Sequence, residues 1–244
     1  MCDLFYKAPS QSTALNLVDE LLNLQQFELA TKISLELLNS NQLALRSGRR
    51  LMESQILANR AASARDCAQV FMRRFPELPP SGMVRAWLLR GEPIPQGLDL
   101  ELDDHPPLAA MVAHTQGQQG LAQEKLDECA HAYANSRDPL ARNYQVTRPA
   151  SEIAMAHAWT GNAPAALAWI DKALQSPDDA GALRVITSPF CDGVASDRQW
   201  AALRKCVLDS TSKFQLPPAD KIHPDWRDCT PSPGAHASSS HASS

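Results

Sequence analysis

The apolar positions between residues 150 and 174 follow a helical period in two consecutive segments. The two stripes consist of Ile153, Ala154 and His157, and of Ala166, Trp169, Ile170, Ala173 and Leu174. This spacing predicts two amphipathic helices joined by a turn at Gly161 and Asn162. Pro164 falls at the start of the second helix, where its missing N–H is not needed. Because a lone pair of helices cannot bury both stripes, we expect this pair to stack on neighbouring pairs.

Three earlier stretches show comparable pairs of stripes. Their predicted helices span 11–24 and 27–38, then 45–57 and 61–75, and then 108–114 with a second helix that follows Gly117 within 115–132. Each second helix carries a small residue near its start, and these residues are Ala30, Ala64, Ala122 and Ala166. Ala30 and Ala64 are 34 residues apart. A short helix over 81–90 and a connector over 91–107, rich in proline and acidic residues, interrupt the series. The connector is predicted to be a solvated loop, with an acidic docking segment as the alternative.

These four pairs resemble the tetratricopeptide repeat, a 34-residue unit of helix, turn and helix. The resemblance implies an all-α fold, a right-handed α-α superhelix over residues 11–210, in which small residues sit where paired helices approach. The end of the chain is similar to the end of repeat arrays in bacterial regulators. Pro189 and Phe190 are followed there by a predicted helix cap at Ser196 and Asp197 and by Trp200. This last helix is expected to cap the array.

Composition limits the remaining segments and the class of protein. Residues 1–10 are predicted to be a lead-in, and residues 211–244, rich in proline, serine and histidine, a disordered tail. The net charge of −4 argues against a general nucleic-acid binder. The start lacks the pattern of a signal peptide, and no apolar run approaches the about 20 residues of a membrane helix. We therefore expect a cytoplasmic protein without membrane insertion.

Chemical motifs give no indication of catalysis. The sequence has no phosphate-binding glycine loop, no nucleophile elbow and no zinc-protease motif. The six cysteines form no C-x-x-C pair and fit no zinc spacing, so isolated reduced thiols are expected. We therefore expect no enzymatic activity, no cofactor and no metal site.

A candidate binding surface follows from the family resemblance. In that family the first helix of each pair lines the concave face, which implies a peptide site at Arg46, Arg49, Arg50, Glu53, Met111, His114, Arg148, Met155 and Trp159. Arginines beside apolar side chains suit an acidic or carboxylate-ended peptide. The alternative is that the three arginines form an ordinary solvated helix face. The lysines and asparagines of the family's carboxylate-binding members are absent at these places.

Two functions are compatible with these features. The first is a scaffold or adaptor that binds a protein or peptide segment, possibly acidic, on its concave face. The second is a stand-alone regulatory or sensor array that acts with a transcriptional regulator or a secretion machine. The similarity at the end of the chain favours the second function, whereas the absence of an attached effector domain favours the first.

Overall fold

The structure, a computed structural model, describes residues 11–39, 44–74, 81–94, 102, 105–136, 150–176, 179 and 181–213. Within these residues it contains eleven α-helices, one short 3₁₀-helix and no strand, which confirms the expected all-helical class. The α-helices are α1 Gln11–Asn23, α2 Phe27–Asn39, α3 Ala44–Leu57, α4 Ala61–Arg74, α5 Ser81–Arg90, α6 Pro106–Thr115, α7 Gln119–Ser136, α8 Ala150–Trp159, α9 Ala163–Leu174, α10 Ala182–Thr187 and α11 Arg198–Ser212. The 3₁₀-helix, Pro189–Val194, lies between α10 and α11.

One type of turn ends five of these helices. It follows α1, α3, α5, α6 and α8, and it places a residue in the left-handed backbone region: Gln25, Asn59, Gly91, Gly117 and Gly161, with φ between 56° and 79°. In every case the next amide donates to the carbonyl five residues back, as Gln26 does to Leu21 and Asn162 to His157. These hydrogen bonds satisfy carbonyls that the helix end would otherwise leave unpaired. Gln25 and Asn59 are 34 residues apart, so the turn recurs at the spacing of the predicted first two repeats.

Small residues mark the contacts between paired helices. Ala30, Ala64, Ala122 and Ala166, the four alanines singled out in the sequence, are all at most 2% exposed. Each lies five residues after one of the left-handed turns. A larger side chain at such a position would hold the two helix backbones apart. The repeated turn and the repeated alanine therefore set the same hairpin geometry four times.

The first helices of these hairpins, together with α5 and α10, form a continuous series of contacts. α1 packs on α3, α3 on α5, α5 on α6, α6 on α8, and α8 on α10. α10 in turn contacts α1, so the series closes on itself. We call these six helices the inner ring. The predicted superhelix did not include this contact between the two ends of the array.

Two hydrophobic clusters stabilise the described residues. The smaller one joins α1 and α2, has Leu21, Leu22 and Leu37 at its centre, and includes Leu57 of α3. The larger one extends from Met52 of α3 to Val207 of α11. Since the second cluster contains no residue of α1 or α2, the first hairpin has an apolar core of its own.

The end of the array agrees with its predicted cap. Asp197 accepts hydrogen bonds of 2.9 Å from the backbone amides of Gln199 and Trp200, and it thereby caps α11. Trp200 is fully buried. α11 ends at Ser212, two residues beyond the predicted boundary. The predicted lead-in and the tail from residue 214 onward lie outside the described residues.

The connector between the second and third pairs differs from its prediction as a solvated loop. The side chain of Leu102 is only 5% exposed and belongs to the larger hydrophobic cluster. α6 begins at Pro106, inside the stretch predicted as a loop, and proline is tolerated in a first helical turn. The acidic docking alternative falls largely on residues 95–101, which lie outside the described residues.

Candidate functional site

A cavity of about 400 Å³ lies on the inner side of the ring. Its walls come from α3, α5, α8 and α10, from the start of α6 and from the 3₁₀-helix. Apolar side chains form one part of its surface: Met52, Ile56, Leu57, Leu108, Met155, Val185 and Phe190. Charged side chains form the other: Arg49, Arg50, Glu53, Arg85, Glu152, Asp179 and Arg184. A volume of this size is within the range of ligand pockets in proteins.

α3 supplies more of the residues that line the cavity than any other helix. Arg49, Arg50, Glu53, Ile56 and Leu57 follow the spacing i, i+1, i+4, i+7 and i+8, which places them on one helical face. The face is mixed because its first part is charged and its last part is apolar. A ligand lying along α3 would therefore meet charge at one end and a hydrophobic wall at the other.

A network of four charged residues surrounds one edge of the cavity. Arg50 donates to Asp19 Oδ2 at 3.0 Å and to Glu53 Oε2 at 2.8 Å. Arg184 donates to Glu53 Oε1 at 2.9 Å and lies 3.5 Å from Asp19 Oδ1. Burial by itself raises the pKa of Glu53, but Arg184 and Arg50 outweigh that effect and lower it. Glu53 is therefore held as a carboxylate between two arginines of this chain.

A second pair of charges joins α5 to α8. Arg85 Nη2 donates to Glu152 Oε1 at 3.1 Å. Both side chains are about one quarter exposed. The pair fixes the positions of both side chains at the cavity wall and neutralises them. Arg85, like Arg50 and Arg184, is therefore already engaged with a carboxylate.

Asp179 is bound in a different way. It accepts hydrogen bonds from the backbone amide and hydroxyl of Ser151, at 2.8 and 2.6 Å, and from the amide of Gly181 at 3.2 Å. Ser151 is in the first turn of α8, where partial positive charge favours a carboxylate. A side chain on Gly181 would clash, because its Cβ would lie 2.7 Å from Ser151 Oγ. These contacts fix the approach of α10 to α8.

Arg49 differs from the other arginines of the cavity. Its side chain is exposed, and it makes no ion pair with any residue that the structure describes. Glu53, Glu152 and Asp179, the carboxylates of the cavity wall, are engaged by other groups. Arg49 is thus the arginine of this wall that can offer all the N–H donors of its guanidinium group to an anion.

The structure brings together only part of the predicted site. Arg49, Arg50, Glu53 and Met155 line the cavity. Arg46 is exposed on α3 and lies outside the cavity lining. Arg148 is outside the described residues.

The remaining three predicted residues are buried or make contacts with other residues of the chain. Met111 is fully buried in the larger core and has no surface to offer a ligand. His114 Nδ1 is bonded to Gln119 Oε1 at 3.0 Å. Trp159 donates from Nε1 to Thr115 Oγ1 at 3.2 Å, and its ring packs edge-on against Phe190. The tryptophan therefore helps to position a cavity wall without forming one itself.

Several cavity residues were not predicted from the sequence. Arg85 lies six residues before Gly91, as Glu53 lies six before Asn59 and Met155 six before Gly161. Aligning the short helix 81–90 by its final glycine would therefore have identified Arg85. The sequence gives no comparable signal for Arg184, since α10 follows no repeat pattern.

Comparison of the chain with protein-family models, with curated proteins and with solved structures finds no match. The helices that the structure describes include none with the length and apolar character needed to cross a membrane. Among the described residues no cluster of histidine, cysteine or carboxylate side chains has the arrangement of a metal site.

Proposed function

We propose that this chain is a non-enzymatic scaffold or adaptor that binds an acidic protein or peptide segment at the cavity of its inner ring. The cavity would lie on the concave face of a right-handed superhelix similar to tetratricopeptide arrays. The recurrent left-handed turn and the buried alanine five residues after it support this architecture. The single observation on which the binding proposal rests is that Arg49, which forms no ion pair with the residues described by the structure, lies beside an apolar wall.

Each part of the wall has a distinct role in the proposed complex. Arg49 binds a carboxylate of the partner through paired N–H donors. Met52, Ile56 and Met155 contact an apolar side chain next to that carboxylate. Arg50 and Arg85 remain bound to Glu53 and Glu152 and keep the wall in shape. Recognition therefore requires one negative charge and one adjacent apolar group.

The closed ring supports a second candidate, a stand-alone sensor array that acts with a transcriptional regulator or a secretion machine. Contact between α10 and α1 joins the two ends of the array, and Arg184 at that contact lines the cavity, which favours a small ligand. A cavity of about 400 Å³ suits a small organic anion as well as one or two side chains. Both candidate functions require a negatively charged ligand, and they differ in the size of that ligand.

A binding screen on the full chain tests both candidates. Pools of acidic, neutral and basic peptides and a panel of small organic acids are compared by the shift of the melting temperature, because a ligand that binds the folded state stabilises it. Stabilisation by acidic peptides supports the scaffold, and stabilisation by small acids alone supports the sensor. Preferential binding of basic peptides would contradict both.

A further inference from the structure

The contact that closes the inner ring depends on one side chain. Arg184 of α10 donates from Nε to Asn23 Oδ1 of α1 at 2.8 Å and from Nη1 to Glu53 Oε1 of α3 at 2.9 Å. Its Nη1 also lies 3.5 Å from Asp19 Oδ1 of α1. The Arg184 side chain is only 12% exposed. One residue near the end of the array is thus bound to the first helix and to the third.

This junction is polar, unlike the other contacts of the array. A second tie, from Gln25 Nε2 to Thr211 Oγ1 at 3.4 Å, is also between polar groups. The hydrophobic cluster of α1 and α2 contains no residue of α10 or α11, and the larger cluster contains none of α1 or α2. No buried apolar cluster in the described residues therefore spans the junction.

Separation of this junction divides no buried apolar cluster of the described residues, whereas separation of each of the four hairpins divides one. Parting α8 from α9 would expose Ile153, Ala166 and Ile170, which are at most 1% exposed. Burial of such apolar side chains is the dominant favourable contribution to folding. Partly exposed ion pairs contribute much less, because water competes for both partners. Local opening takes place first where few apolar contacts hold the chain.

We propose that the junction between α10 and α1 is a gate on the cavity, with Arg184 as its clasp. While it is closed, the cavity takes a single side chain or a small anion. When the contacts of Arg184 with Asp19, Asn23 and Glu53 part, an extended acidic segment can lie along α3. Because Arg184 also lines the cavity, an acidic ligand that reaches it competes with those carboxylates and favours the open form.

The statement that an acidic segment enters through the open gate rests on the proposed function, whereas the opening of the gate can be tested without a ligand. The experiment is hydrogen exchange, read by mass spectrometry, on the full chain and on Arg184→Gln. The matched control is Arg204→Gln, which removes the 2.8 Å ion pair with Asp192 but none of the contacts that Arg184 makes. We expect amides of α1 and α10 to exchange about tenfold faster in Arg184→Gln, the effect of losing hydrogen bonds to charged groups. Amides of α8 and α9 should keep their rates in both variants.

Two further measurements test the gate even if the Arg184→Gln variant folds poorly. Asp19→Asn weakens the clasp from its other side and should give the same selective increase, and raising NaCl from about 0.1 to 1 M should do so in the unaltered chain. Unchanged exchange in α1 and α10, or an equal increase in every helix, would overturn the gate. If exchange rises selectively but no acidic peptide or small acid binds, the gate stands and the proposed function fails.

Discussion

Arg50 and Glu53 lie one turn apart on α3 and share a hydrogen bond of 2.8 Å between Nη1 and Oε2. Arg50 also reaches across to Asp19 of α1, so it ties two helices together. Arg49, the preceding residue, lines the same cavity and pairs with no carboxylate in the part of the chain that the structure describes. Two adjacent arginines therefore have different tasks, since one stabilises the fold and the other faces the ligand.

Replacement of Arg50 should lower stability, because Asp19 and Glu53 lose their hydrogen bonds to Arg50 and keep only Arg184 as a cationic partner. For Arg50→Gln we expect the free energy of unfolding to fall by about 1–3 kcal/mol, the usual effect of losing hydrogen bonds to charged groups. Urea unfolding followed by circular dichroism measures this change. Arg46→Gln, one turn earlier on the same helix and exposed, is the control and should unfold as the unaltered chain does.

Overpacking the contact between α8 and α9 should destabilise the chain. Ala166 is completely buried there, whereas Ala168 on the same helix is exposed. We expect Ala166→Arg to lower the free energy of unfolding by about 1–3 kcal/mol or more, since the core has no room for a guanidinium. Ala168→Arg should leave it almost unchanged. Equal melting temperatures for the two variants would contradict the helical register.

The register of the hairpins is the part of the fold that the sequence predicts best. Apolar spacing and small residues such as Ala64 and Ala166 are local signals, because each reports which face of its own helix is buried. The boundaries of α8 and α9 follow from Gly161 and Pro164 in the same way. Gln25 was not recognised as a turn residue, because it adopts positive φ without being glycine.

Features that depend on contacts between distant residues could not be predicted. Arg184 and Asn23 are 161 positions apart, and nothing in either sequence context indicates that they meet. Met111 has the spacing of a groove residue, yet α6 is covered on that side and the methionine is buried. Periodicity identifies a face of a helix but does not tell which neighbour covers it.

Loss of the Asp179 carboxylate should loosen the attachment of α10 to α8. Asp179 receives three hydrogen bonds, two of them from Ser151, and is 9% exposed. We expect Asp179→Ala to cost about 1.5–3 kcal/mol of unfolding free energy, as for other hydrogen bonds to charged groups. Asp171→Ala, which removes an exposed carboxylate of α9, is the comparison. A cost no greater than that of Asp171→Ala would show that Asp179 does not hold α10.

His157 should make the chain less stable in mild acid. Burial lowers the pKa of His157 below its usual 6.5, and Asp127 offsets this only in part. The unfolded chain therefore binds a proton at this residue more readily than the folded chain does. The stability that neutral, buried His157 contributes is complete above pH 6.5 and is lost as the pH falls below it. Unfolding free energies at about pH 7.5 and 5.5 should differ less in His157→Gln than in the unaltered chain.

A control for that comparison is His131→Gln on the exposed face of α7. It should show the same pH dependence as the unaltered chain. If His157→Gln also retains the full pH dependence, another group is responsible for it.

Binding of an acidic peptide to Arg49→Glu and Arg46→Glu tests the central claim most directly. Both variants reverse one charge on α3, but only Arg49 lines the cavity. We expect Arg49→Glu to weaken binding at least about tenfold, equivalent to about 1.4 kcal/mol, and Arg46→Glu to bind nearly as the unaltered chain does. Fluorescence anisotropy with a labelled acidic peptide gives the Kd, and circular dichroism on the same samples verifies the helical fold. Equal affinity of the folded Arg49→Glu variant and the unaltered chain would contradict binding at this cavity.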